Sequence, residues 1–153
     1  AGFPGVPMAI AEPSIRLTLL DSLQKRMNWL REVLPQLGVE ASVVDARAEE
    51  YVTGCREQYD LAVSRAVARL NILCELCLPY VKVGGAFLAL KGAMTQEEVE
   101  QAGKAIETLG GQVRAIQEYP IAGAVHRIVV IEKVRPTPKQ YPRKFAKIKQ
   151  SPL

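Results

Sequence analysis

Short apolar segments alternate with amphipathic helical segments from one end of this chain to the other, and that alternation constrains its fold more than any other feature. Ile15–Leu20 (IRLTLL) reads as a buried strand ending at Asp21. Ala41–Val44, Leu61–Ser64 and Ala86–Leu90 read as three more, all short and apolar as parallel strands are. Between them the apolar period is 3.6. Leu23, Met27, Leu30, Leu34 and Leu37 share one helical face after a Ser22 cap, with Pro35 ending or kinking the last turn and Gly38 at the left-handed stop. A second helix is expected from Val67 to Leu78, halted by Pro79, with Leu70, Leu73, Cys74 and Cys77 inward. A third opens with a capping box, Thr95 and Glu98, carries Val99, Ala102, Ile106 and Leu109 on one stripe, and ends at Gly110-Gly111.

The last two strand candidates, Gln112–Tyr119 and Arg127–Lys133, are joined only by PIAGAVH. A connection that short cannot make a parallel crossover, so the two pair as an antiparallel hairpin. An α/β sheet that is mostly parallel and closes with a reversed strand is the arrangement of the Rossmann-like class I methyltransferase fold, whereas a dinucleotide dehydrogenase continues in βαβ units.

A length of 153 residues with 48% hydrophobic content suits about one core-bearing domain. No apolar run approaches the roughly 20 residues of a membrane span, and AGFPGVPMAI lacks the basic flank of a signal peptide, so a cytoplasmic, membrane-free protein is expected. Three cysteines fit a reducing compartment. Cys74 and Cys77 have no second pair and the one histidine, His126, is remote, so no metal site is expected. Charge is uneven. Through Glu132, thirteen Lys and Arg face sixteen acids, a balance of minus three, whereas Lys133–Leu153 carries seven basic residues and no acid. A domain over 1–134 and a basic tail over 135–153 follow. With Tyr141 and Phe145 interleaved, that tail suits either an RNA backbone or plain solvent.

Gly2 and Gly5 precede the apolar stretch Val6–Ala11, where glycine lets a backbone approach a ligand closely. Asp21 follows Gly2 by nineteen residues at the end of the next strand. There a carboxylate either accepts a nucleoside's ribose hydroxyls or caps the following helix. The DARAEE run places Ala48 and Glu49 at the next strand end, where they meet an adenine edge or form an acidic first turn. SRAVARL then offers Ser64, Arg65 and Arg69; an arginine here holds a cofactor carboxylate or an RNA phosphate, or pairs with a surface acid.

The run AGFPGVPMAIAEPSIRLTLLDSLQKRMNWL, followed by RAEE, SRAVARLN, LPYVKVGGAFLALKG, HRIVVIEK and PTPKQYPRK, resembles the glucose-inhibited division protein B family, the small-subunit 16S rRNA 7-methylguanosine methyltransferases. The resemblance covers essentially the whole chain. It implies S-adenosyl-L-methionine as methyl donor and guanine N7 in 16S rRNA of the small ribosomal subunit as acceptor; a monomer is expected, apart from the resemblance. By motif position it assigns Gly2 and Phe3 to the cofactor loop, Asp21 to the ribose, Ala48 and Glu49 to the adenine, and Arg65 to the crevice arginine. Lys139, Arg143 and Lys144 of PTPKQYPRK would help to hold RNA. No catalytic side chain is implied, since N7 carries an available electron pair at neutral pH, and His126 needs no catalytic part.

Two departures stand out. Family members enter the glycine loop VGSGAGFPG through a first strand, whereas Ala1 begins after that strand and after the loop's first glycines, and the tail reads FAKIKQSPL in place of a glycine- and proline-containing stretch. A first strand missing from mid-sheet leaves its neighbours unpaired. Two other classes stay open: a noncatalytic RNA-binding module, and a nicotinamide-dependent Rossmann enzyme, which parallel pairing of the last two strands would favour. The 153-residue chain alone is expected to bind S-adenosylmethionine weakly or not at all; calorimetry checks this, and micromolar affinity refutes it.

Overall fold

A computed structural model describes residues 1–65, 68–92, 95–121 and 123–153. They form two compact units, Ala1–Tyr51 and Val52–Leu153.

In the first unit, helix α1 (Gly5–Ala11) precedes strand β1 (Leu17–Asp21), helix α2 (Gln24–Val33), strand β2 (Ala41–Asp45) and the short helix α3 (Ala48–Tyr51). β1 and β2 pair in parallel from Leu17↔Ala41 to Asp21↔Asp45. Val6, Leu19, Met27, Leu30 and Leu34 make the core, so the expected helical face forms at its centre. Its ends differ. Leu23 and Leu37 are half-exposed, because α2 spans only Gln24–Val33 and Pro35–Leu37 tightens into a 3₁₀ turn. Ser22 is not the cap: Leu23 holds that position, and its N–H donates to Asp21 Oδ1 at 2.9 Å. Ile15 lies outside β1, its N–H turned back to Glu12 O. Gly38 is left-handed as expected.

In the second unit, strand β3 (Tyr59–Arg65) and strand β4 (Val81–Lys91) run parallel. Helix α4 (Leu70–Cys77) lies between them, and a 3₁₀ turn over Leu78–Tyr80 takes in Pro79. Val67, where this helix was expected to begin, falls outside the described residues. Helix α5 (Thr95–Thr108), strand β5 (Gly111–Ile121), strand β6 (Ala124–Lys133) and helix α6 (Phe145–Gln150) complete the unit. The sheet order is β3-β4-β6-β5, with β6 antiparallel to both neighbours. The reversed ending is therefore present, and the pairing that would favour a nicotinamide enzyme is not. The hairpin is longer than expected, taking most of PIAGAVH into its strands up to Ile121↔Ala124.

Side chains of α4 and α5 bury Phe87 and Ala89 of β4 with Val129 and Ile131 of β6. The expected stripe on α5 forms: Ala102, Ile106 and Leu109 are buried, with Val99 packed beside them. Its capping box does not. Thr95 Oγ1 donates to Gly92 O at 2.5 Å, while Glu98 Oε2 accepts from Leu70 N and from Lys91 Nζ at 2.7 Å. A cation and a helix-start amide together outbid one backbone N–H for that carboxylate. Gly85 is fixed by a close approach, since a Cβ there would strike the Asp60 carbonyl oxygen where the β3–β4 register shifts between Tyr59 and Leu61.

Residues 135–153 belong to the second unit, where Thr137 and Ile148 are buried. Arg56 donates to the carbonyls of Thr137, Pro138 and Tyr141 at 2.7–3.0 Å. Glu57 Oε1 accepts the Thr137 N–H at 2.7 Å and the fully buried Lys133 Nζ at 2.9 Å. Burial alone would raise the Glu57 pKa; the bonds from Thr137 and Lys133 outweigh it and leave the carboxyl below its ordinary value. Since the folded value is depressed, the stabilisation is complete above the unfolded value near 4.5 and is lost as pH falls through the folded one. Urea unfolding followed from pH 6 to pH 3 is therefore expected to show falling stability, and Glu57→Gln to flatten that part of the fall.

Candidate cofactor site and basic segment

At the carboxyl ends of β1 and β2 the ladder sets Asp21 beside Asp45. Immediately beyond, the Ala46 N–H donates to the Asp21 carbonyl at 3.2 Å. The turn that carries Ala48 and Glu49 is thereby fixed against the residue that carries the carboxylate. Asp21 Oδ1 is oriented by the Leu23 N–H, and Oδ2 takes the Arg26 guanidinium at 3.1 Å. Asp21 is partly exposed and Arg26 largely so, so this ion pair is worth at most about 1 kcal/mol. Of the two roles foreseen for Asp21, the one at the helix start is seen in the Leu23 bond. One oxygen shapes the start of α2 and the other faces Arg26.

Glu49 is more committed. Its side chain is only 8% exposed, and its Oε1 accepts Arg47 Nε at 2.6 Å. That bond raises the Arg47 pKa and keeps the guanidinium charged. Ala48 opens α3, whose first-turn acids are Glu49 and Glu50. Gly2 has φ 77°, and a Cβ there would lie 2.9 Å from Val6 Cγ2 and 3.0 Å from Leu30 Cδ2. Any larger residue would both strain the turn and push the loop off the core. Phe3 is 62% exposed. The link from this loop to the Asp21 strand runs through Gly5, packed against Leu17 and Leu19. Five of the six cofactor candidates thus share the first unit. Arg65 stands in the second, exposed at the carboxyl end of β3.

The three basic candidates divide. Lys139 and Lys144 are exposed. Arg143 is bound to Glu75: its backbone N–H and Nε donate to Oε1 at 2.8 Å and its Nη2 to Oε2 at 2.6 Å. Glu75 is fully buried, so Arg143 neutralises a charge inside the protein. Sequence reasoning passed over this partner, although an acid inside the apolar run LNILCELC signals a buried cation to match it. Arg56 and Glu57 carried no such signal.

Cys74 and Cys77 pack in the α4 core as expected. Burial pushes the Cys77 thiol up to about 12 and Cys74 well above its ordinary value. Neither supplies the thiolate that metal binding or nucleophilic attack uses. Among the described residues no cluster of three or more His, Cys, Asp or Glu could hold a metal, and no helix is long and apolar enough to cross a membrane.

Residues 1–125 match the family described as rRNA small subunit methyltransferase G. The chain belongs to that family. Ribosomal RNA small subunit methyltransferase G of Clostridium novyi is 48% identical over 157 residues, covering 99% of this chain and 65% of that protein. The Acetivibrio thermocellus protein of the same name is 49% identical over 158 residues, covering 100% and 65%. The chain thus spans about two-thirds of the length of these curated members of the rRNA small subunit methyltransferase G family. Among solved structures, a 16S rRNA (adenine(1408)-N(1))-methyltransferase variant with cosubstrate SAM, from Catenulisporales acidiphilia, superposes with TM-score 0.70 at 16% identity, covering 86% of this chain and 80% of that one. The precorrin-6y C5,15-methyltransferase of Geobacter metallireducens gives TM-score 0.61 at 14% identity, covering 79% and 68%. At those identities the likeness is one of fold, and the fold is that of the class I methyltransferases.

Substitution separates folding from surface charge in the basic segment. Arg143→Ala leaves the buried Glu75 carboxylate unpaired and is expected to cost about 3–5 kcal/mol, whereas Lys139→Ala and Lys144→Ala are each expected to stay within about 0.5 kcal/mol. Chemical denaturation of the three variants checks the contrast.

Proposed function

We propose that this chain is the methyl-transfer part of an S-adenosylmethionine-dependent enzyme that modifies N7 of a guanine in bacterial 16S rRNA. The carrying observation is the end of the β1–β2 ladder. In a member of the rRNA small subunit methyltransferase G family, Asp21 and the Ala46–Glu49 turn are tied together at the carboxyl ends of parallel strands, where α/β sheets hold their ligands.

These residues suit an adenosyl group. The Asp21 carboxylate has an oxygen to offer a ribose diol once Arg26 swings away, and its other oxygen is already oriented by Leu23. Ala48 presents main-chain polar groups for an adenine edge, with Glu49 held by Arg47 bracing the turn that presents them. Gly2 and the exposed Phe3 border the cofactor from the loop before α1. Arg65 is assigned to a carboxylate or phosphate, for which its fork is shaped. Lys139 and Lys144 are assigned to RNA backbone; Arg143, with its guanidinium on Glu75, supports the segment that displays them.

Bound S-adenosylmethionine supplies an electrophilic methyl group on a sulfonium. Guanine N7 presents a lone pair that needs no deprotonation, so no side chain has to act as general base. Catalysis on this reading comes from alignment of acceptor and donor in a site that excludes water. Work on ribosomal RNA would place the protein in the cytoplasm.

With the chain extended to the length of its curated relatives, methyl transfer from labelled cofactor to deproteinised 16S rRNA or to small subunits is expected, with the label recovered as 7-methylguanine. Its absence on both substrates would overturn the proposal. Asp21→Asn retains an oxygen for the Leu23 amide but loses the charged acceptor. It is expected to raise the cofactor KM about ten- to hundredfold, the worth of a hydrogen bond to a charged group, with thermal stability little changed.

A further inference from the structure

β4 pairs with β6 only as far as Lys91↔Arg127, yet β5 and β6 continue together through Tyr119↔His126 and Pro120↔Val125 to Ile121↔Ala124. Three residue pairs therefore project beyond the end of β4, an arm of about 10 Å at the usual rise per residue. Its direction is set by topology. β3 and β4 are parallel and β6 is reversed, so the arm leaves the sheet at the end where β3 and β4 finish, next to Lys91 of β4 and with Arg65 one strand further away.

The arm is apolar where solvent reaches it. Tyr119 is 42%, Ile121 59% and Val125 47% exposed. Cross-strand partners share a face, which puts Tyr119, His126, Ile121 and Ala124 on one side and Pro120 and Val125 on the other. Tyr119 Oη donates to Gln117 Oε1 at 2.9 Å, which fixes the ring along its strand. The tip sequence from Tyr119 to His126 holds no acid, and at its root Glu118 is matched by Arg127 at 2.7 Å. Arg65 and Arg69 stand exposed at and just beyond the end of β3.

We infer that the β5–β6 arm is a base-stacking element, in which the Tyr119–His126 face takes an unpaired nucleobase of the RNA substrate. This rests on the RNA reading above and assigns it a contact surface. The chemistry fits a nucleic acid better than a protein partner: two adjacent π-systems without a carboxylate present a stacking face, and exposed arginines at the same end of the sheet offer cations for the phosphates. A base held here lies at the ligand-binding end of the parallel strands rather than along the sheet's edge.

The probe is a stem-loop RNA carrying 2-aminopurine in its loop, titrated with the chain extended to the length of its curated relatives and followed by anisotropy and by 2-aminopurine emission. The native protein is expected to quench the emission on binding. Tyr119→Ala is expected to bind about tenfold more weakly with the quench gone, while Tyr119→Phe, which keeps the ring, stays within about twofold. Because the ring is half-exposed, all variants are expected to keep the native melting temperature. If the native protein does not bind the RNA, the RNA reading and the arm assignment both fall. If it binds but Tyr119→Ala matches it, or Tyr119→Phe falls as far as Tyr119→Ala, only the arm assignment falls. A native dimer in sedimentation that Tyr119→Ala converts to monomer would equally overturn it, giving the face to a second copy of the chain.

Discussion

The Lys133 ammonium, fully out of water, gives its three protons to Glu57 Oε1 and to the carbonyls of Leu78 and Val81, all at 2.8–2.9 Å. Those acceptors belong to the turn before β3 and to both sides of the α4–β4 junction, so one side chain at the end of β6 fixes where three segments meet. A buried lysine is tolerable only when every proton is placed, and here each one is. Glu57 then passes the constraint on through the Thr137 amide to the basic segment, whose carbonyls Arg56 gathers. Displayed lysines thus sit on a rigid support.

The two units are built along the same principle. In the first, backbone pairing carries the Asp21 carboxylate and the turn before α3 to the same end of a ladder. In the second, the reversed β6 lets a hairpin outgrow the sheet at the carboxyl ends of its own parallel strands. On the proposed reading, methylation of an exposed ring nitrogen would ask for placement more than for acid–base chemistry, and strand ends provide placement.

Much of this was legible in the sequence because it depends on local pattern. The alternation of strands and helices, the α5 stripe, the left-handed Gly38 and the antiparallel hairpin all follow from periodicity or loop length. What escaped depends on partners distant in the chain. Glu98 has the spacing of a capping-box residue, but Lys91 and the Leu70 amide claim it. Arg143 looks like an RNA contact in a basic run, but its acid lies 68 residues earlier. Asp21 was read as a ribose ligand or a cap; one of its oxygens takes the Leu23 amide at the start of α2 and the other the Arg26 guanidinium. Exposure at the hairpin tip was likewise invisible, since nothing in PIAGAVH tells a strand packed on a sheet from one that overruns it.

The irregularity at Gly85 has a bearing on how this strand can change. Between Tyr59↔Val81 and Leu61↔Ala86 the two strands absorb unequal numbers of residues, and from Ala86 onward they march in step to Leu90. An insertion or deletion before Gly85 could be taken up by resizing the kink. The same change after it would turn Phe87 and Ala89 to the opposite face and carry Lys91 out of line with Arg127, because side chains alternate strictly along a strand. A one-residue change of length is thereby tolerable only in the first half of this strand, and the second half tolerates substitution alone.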